Sequence, residues 1–122
     1  MECMGGKVNQ VFLNIVNNSL QAMEKNQLDK PSILSVRTFY NDEYVTIEIS
    51  DTGEGMDEIR KNRIFEPFFT TKDIGQGTGL GLSIVFKIIE THNGKIRVDT
   101  EHGKGTKFAL EFPIKARIKS EL

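Results

Sequence analysis

The chain has 122 residues, with sixteen lysines and arginines against seventeen aspartates and glutamates, for a formal charge of −1 at pH 7. That is the size of one domain, with interior enough for a core and no cationic field to hold a nucleic-acid backbone or an anionic membrane. One cysteine, Cys3, excludes an internal disulfide framework, His92 and His102 are too few for imidazole-rich metal binding, and neither a signal peptide nor an apolar bilayer span is present.

The first long pattern covers residues 7–25, where Val8, Val11, Phe12, Ile15, Ser19, Ala22 and Met23 recur at helical spacing, and Pro31 lies beyond it as a stop. Residues 32–40 and 44–50 read as strands joined by Asn41-Asp42-Glu43. In the second, Val45, Ile47 and Ile49 alternate with Thr46, Glu48 and Ser50, so one face is buried. Residues 51–81 are mostly loop, with a short helix around 57–62; a loop of that length in so small a domain is often a lid or a binding loop. A second long helix follows at 78–91, with Leu80, Ile84, Val85, Ile88 and Ile89 on its inner face and Asn93-Gly94 as its C-cap signal. Strands at 95–100 and 106–114, around a glycine turn, complete the chain. This order predicts an α/β fold: a two-layer sandwich whose mixed, mostly antiparallel sheet carries helices on one face.

Three constellations carry chemistry. The first helix has an amide stripe in which Asn14, Asn18 and Gln21 share a face. Asparagine is a poor helix former, and an uncharged amide oxygen suits a hard cation such as Mg²⁺ beside phosphates. Asp51-Thr52-Gly53-Glu54-Gly55-Met56 follows a strand directly. A carboxylate there accepts from an exocyclic amine such as that of adenine and repels a keto oxygen, while glycines let a flat base approach the backbone. Gly75-Gln76-Gly77-Thr78-Gly79-Leu80-Gly81-Leu82 runs into the second long helix, where free amides and the helix dipole favour an anion. It matches neither a P-loop nor the dinucleotide spacing. Between the glycine clusters lies Phe65-Glu66-Pro67-Phe68-Phe69-Thr70-Thr71-Lys72, aromatic anchors followed by a cation with the reach of a γ-phosphate.

In this order the pieces resemble the catalytic and ATP-binding domain of sensor histidine kinases, in the GHKL superfamily with its Bergerat-type ATP fold. Residues 13–23 resemble the N box, 51–56 the first glycine box, 64–72 the F box and 77–82 the second glycine box. Gly103-Lys104-Gly105-Thr106-Lys107-Phe108 resembles the terminal Gly-Thr-x-Phe element. The resemblance implies that Asp51 binds the adenine amino group with Thr106 beside it, and that Gly53, Gly55, Met56 and Phe65 line the nucleotide. It implies that Asn18 ligates Mg²⁺, Asn14 and Lys72 act at the phosphates, and Gly77, Thr78, Gly79, Leu80, Gly81 and Leu82 cradle them under a lid at 70–78.

Relatives that hydrolyse ATP carry a glutamate base where this chain has Asn14, and an amide takes no proton from water, so transfer to a side chain is expected rather than hydrolysis. Gln21 stands where many histidine kinases have lysine or arginine. No phosphoacceptor box is present, and neither His92 nor His102 fits that role. The resemblance therefore implies a piece of a longer protein, the cytoplasmic part of a membrane-bound or soluble sensor kinase. The dimerisation and phosphoacceptor domain, any sensor and an opening strand would lie outside it, with a response regulator downstream and no membrane or nucleic-acid contact by this domain. A serine kinase of the anti-sigma-factor type and a non-catalytic nucleotide-sensing module are the alternatives on the same fold.

Overall fold

The computed structural model describes residues 5–26, 29–66 and 81–114. Its elements are α1 (Gly5–Met23), β1 (Leu34–Tyr40), β2 (Tyr44–Asp51), α2 (Glu58–Lys61), α3 (Gly81–Thr91), β3 (Lys95–Glu101) and β4 (Gly105–Pro113). The strands form one sheet in the order β1-β2-β4-β3. All three pairings are antiparallel, so among the described residues the expected mixture of strand directions is not found. No helix among the described residues is long and apolar enough to cross a membrane.

Each of the two long helices is set by one buried stripe. In α1 the stripe is Val11, Ile15, Ser19 and Met23, all at most 6% exposed and each four residues from the next. Phe12, expected in that stripe, is instead exposed. It follows Val11 directly, and the ~100° turn per residue carries it off the buried face. In α3, Val85, Ile88 and Ile89 are buried and the helix lies against α1 and β3. Its end is closed by Asn93 in the left-handed region at φ 59°, with Gly94 N–H donating to Ile89 O at 2.8 Å.

Register then stacks the sheet's apolar rows beneath the helices. Ile49 pairs with Phe108, Ile47 with Leu110 and Val45 with Phe112, while Val98 and Ile96 flank Phe108 and Leu110 from the other side. The opposite face carries ion pairs instead, Arg37 and Lys107 with Glu48 and Arg97 with Glu111. That is the polar-out face of a two-layer sandwich.

Several boundaries shift for identifiable reasons. β1 starts at Leu34 rather than residue 32 because Ile33 N–H donates to the Thr52 hydroxyl at 2.9 Å and not to a strand. Asn41 closes the β1–β2 turn, its Oδ1 accepting from Glu43 N–H and Tyr44 N–H. α2 is one turn, capped by Asp57, whose side chain accepts from Arg60 N–H.

Phe108, fully buried, sits between β2 and β3 at the centre of this core. Phe108→Ala should therefore lower unfolding free energy by about 3–5 kcal/mol, read from the shift in urea midpoint at an unchanged slope. A shift well under 1 kcal/mol would place the core elsewhere.

Candidate functional site

Asp51 ends β2 opposite Leu34 of β1 and Thr106 of β4, so it occupies an interior position of the sheet. It is 6% exposed, on the same face as Ile49 and under α1. One oxygen, Oδ1, accepts from Gly53 N–H at 2.8 Å. The Ser19 hydroxyl and the Thr106 amide also act on this carboxyl, and their dipoles favour its ionised form. Both Oδ2 and Ser19 Oγ are buried, and among the described residues neither completes a hydrogen bond. Burial dominates and pushes the Asp51 carboxyl above the usual aspartate range; the Gly53, Ser19 and Thr106 dipoles and the Lys30 charge oppose it.

The turn after Asp51 is fitted to its neighbours rather than open. A Cβ on Gly53 would stand 2.7 Å from Ala22 O, so the missing side chain makes room for the end of α1. Gly55 has φ +68°, and a Cβ there would stand 2.0 Å from Glu101 O in the β3–β4 hairpin. Met56 half-buries its side chain against the core while its N–H donates to Thr100 Oγ1 at 3.0 Å. Thr100 lies opposite Thr106, and their hydroxyls are 2.9 Å apart.

Asn14 reaches from α1 to the start of α3, its Nδ2 donating to Gly81 O at 3.2 Å. Asn18, one turn further along, is half-buried on the same amide face. Leu82 and Phe65 are half-buried against the core, and Phe65 packs on Phe86 with ring centroids 5.3 Å apart. Lys72, Gly77, Thr78, Gly79 and Leu80 lie outside the described residues.

Sequence reasoning missed four contributors. Ser19 resembles any small core position in a helical stripe. Thr100 is legible only after the hairpin register is fixed, which the Glu101–Gly105 turn would have allowed. Asn26 and Lys30 act from the loop after α1: Asn26 Nδ2 donates to Thr52 O at 3.0 Å, and Lys30 Nζ to Gly53 O and Gly103 O. A loop lysine carries no pattern that marks it.

A buried carboxylate with one oxygen left to accept fits an exocyclic amine, and an amide face beside the start of a helix fits a cation bridging phosphates. The chain matches the family described as "Histidine kinase-, DNA gyrase B-, and HSP90-like ATPase" over residues 5–116. It is 40% identical over 113 residues to sporulation kinase E of Bacillus subtilis, covering 93% of this chain and 14% of that protein. Against sensor histidine kinase ZraS of Escherichia coli K12 the identity is 37% over 108 residues, covering 88% and 22%. The chain thus spans less than a quarter of the length of these two relatives. Among solved structures, the nucleotide-free catalytic domain of histidine kinase ThkA superposes with a TM-score of 0.73 at 37% identity, covering 88% of this chain and 66% of that one. Mycobacterial sensor histidine kinase MprB shares the fold at TM-score 0.77 and 24% identity, covering 91% and 74%.

The raised Asp51 pKa has a stability consequence. Between the ordinary aspartate value and the raised one, the native chain holds a proton that the unfolded chain has released. Stability from this group is therefore present at acid pH and falls as pH rises through that window. Asp51→Asn removes the desolvated charge and keeps the acceptor for Gly53. The nucleotide-free variant should melt at or above the parent's temperature at neutral pH and lose that acid-to-neutral decline. A clearly lower melting temperature at neutral pH would mean that the charge stabilises the fold.

Proposed function

Because the chain belongs to the histidine kinase-, DNA gyrase B- and HSP90-like ATPase family, we propose that it binds magnesium–ATP and transfers the γ-phosphoryl group to a histidine on a separate dimerisation domain. The phosphohistidine then supplies an aspartate of a response regulator. The observation that carries the ATP reading is Asp51, a buried carboxylate at the end of an interior strand with an acceptor oxygen that no described residue engages. That oxygen receives the adenine amine, and Thr106 and Met56 border the base. A guanine would bring a keto oxygen against the same carboxylate, so the site discriminates by repulsion as well as by hydrogen bonding.

Phosphoryl transfer asks mainly for positioning and charge neutralisation. Asn18 would hold the magnesium ion through its neutral amide oxygen, and the ion would supply positive charge to offset that of the phosphates. Asn14, tied to Gly81, fixes the start of α3 relative to that amide. Gly81 and Leu82, with Gly77, Thr78, Gly79 and Leu80 before them, hold the phosphates by backbone N–H groups, and Lys72 adds a cation at the γ-phosphate. In the reaction the γ-phosphorus separates from its bridging oxygen as it bonds to an imidazole nitrogen, and ADP leaves with the electron pair. The amide face offers no carboxylate at Asn14, Asn18 or Gln21 to take a proton from water, which favours an imidazole acceptor over hydrolysis. The relatives named as histidine kinases support the same reading.

The test is incubation of the chain with γ-labelled ATP and a histidine-bearing dimerisation domain. Label that is lost in acid and kept in base is phosphohistidine, as expected; label stable to acid identifies a hydroxyl acceptor and overturns the reading. A second measurement isolates the metal role. ATP should bind more tightly to the parent with Mg²⁺ than without, whereas Asn18→Ala should bind equally in both. A parent indifferent to Mg²⁺ would remove Asn18 from that role.

A further inference from the structure

Lys30 stands in the loop between α1 and β1, outside every motif of the sequence. Its ammonium donates to Gly53 O at 2.8 Å and to Gly103 O at 3.1 Å. These carbonyls belong to two different turns, the one after Asp51 and the one between β3 and β4. The two turns also meet directly, Gly103 N–H donating to Glu54 O. The loop that carries Lys30 is itself anchored: the Thr52 hydroxyl donates to Pro31 O at 2.7 Å, and Asn26 holds Thr52 O. A side chain with three donors and one charge is suited to gathering two carbonyls that no backbone ladder pairs.

Asp51 is faced by Ser19 from α1, Thr106 from β4, the Gly53 amide of its own turn, and the Lys30 charge. The other charged groups at this end of the sheet are engaged elsewhere: Lys104 with Glu101 at 3.1 Å, Lys107 with Glu48 at 3.9 Å, and Glu54 with Arg60 at 3.5 Å. Asp99 lies across from Lys107 on β4, on the sheet's outer face. Among the described residues Lys30 is the one cation acting on Asp51.

We infer that Lys30 is a positioning residue for adenine recognition, clipping the turn after Asp51 to the β3–β4 turn so that the carboxylate is held ready for an exocyclic amine. The inference rests on reading Asp51 as the adenine contact. Lys30 acts through Gly53 and Asp51. Removing its charge also removes one of the forces that keep that carboxylate ionised against burial.

The test titrates ATP and ADP into the 122-residue chain by calorimetry across the acid-to-neutral range. Lys30→Met should weaken both nucleotides alike, by roughly tenfold at neutral pH. It should also move the acid limb of binding to higher pH, and Lys30→Arg should restore both. Unchanged affinity overturns the inference. So does a loss that is equal at every pH and unrescued by arginine, because that is packing alone. If Lys30→Met does not fold, Lys30→Gln carries the pH measurement: it keeps a donor and drops the charge, so an unshifted acid limb overturns the inference. Asp51→Asn in the same series separates the two readings. Parental binding by Asp51→Asn defeats the adenine contact and this inference with it. Loss of binding in Asp51→Asn with normal binding in Lys30→Met defeats the clip alone.

Discussion

A carboxylate taken out of water at the end of an interior strand sets the terms for everything around it. Desolvation opposes the charge of Asp51, and the fold answers with a backbone amide from Gly53, dipoles from Ser19 and Thr106, and the Lys30 ammonium. These come from the turn after β2, from α1, from β4 and from the loop before β1. Their convergence requires the strand order and the close seat of α1 on Gly53. The compensation is incomplete: the pKa stays raised, and one oxygen accepts from none of the described residues. On the reading proposed above, an acceptor kept for a ligand's hydrogen bond is one the fold itself does not satisfy, at a cost in stability.

α1 carries two duties on one cylinder. Its Val11–Ile15–Ser19–Met23 stripe anchors the helix to the core, and its Asn14–Asn18 face is thereby turned toward the start of α3. The positions of the amides are thus fixed by apolar packing a quarter-turn away. A change in that stripe would rotate the amide face as well as weaken the core. Helices that merely cover a sheet have no reason to tolerate asparagine in mid-span.

The period of the apolar residues made α1, β2 and α3 legible, because each buries one face only, and turn residues marked the two hairpins. Asp51 was legible for a different reason, a carboxylate directly after a strand and before glycines. What escaped was whatever depends on geometry across the chain. Phe12 satisfies a helical count yet lies on the wrong side of it, since a helix's burial depends on what is packed against it. Gly53 was read as space for a base, whereas Ala22 occupies that direction. Ser19 looked like filler, Thr100 needed the hairpin register, and Lys30 spans 73 positions to reach Gly103. Contacts of that length leave no periodicity in the sequence.

The strand order has a kinetic meaning. Sequence neighbours β1 and β2 form one hairpin and β3 and β4 another, each closing a short loop. The β2–β4 seam joins them, and its pairs run from Asp51–Thr106 to Tyr44–Pro113, far apart in the chain. Closing a loop of that size is the entropically demanding step in making the sheet. Asp51 and Thr106 form one end of this seam, so the two hairpins separately hold half of the candidate site each and neither encloses the carboxylate. Completing the sheet and burying the charge are one event. A partly folded chain, with Asp51 still in water, has not yet met the desolvation that distinguishes the finished site.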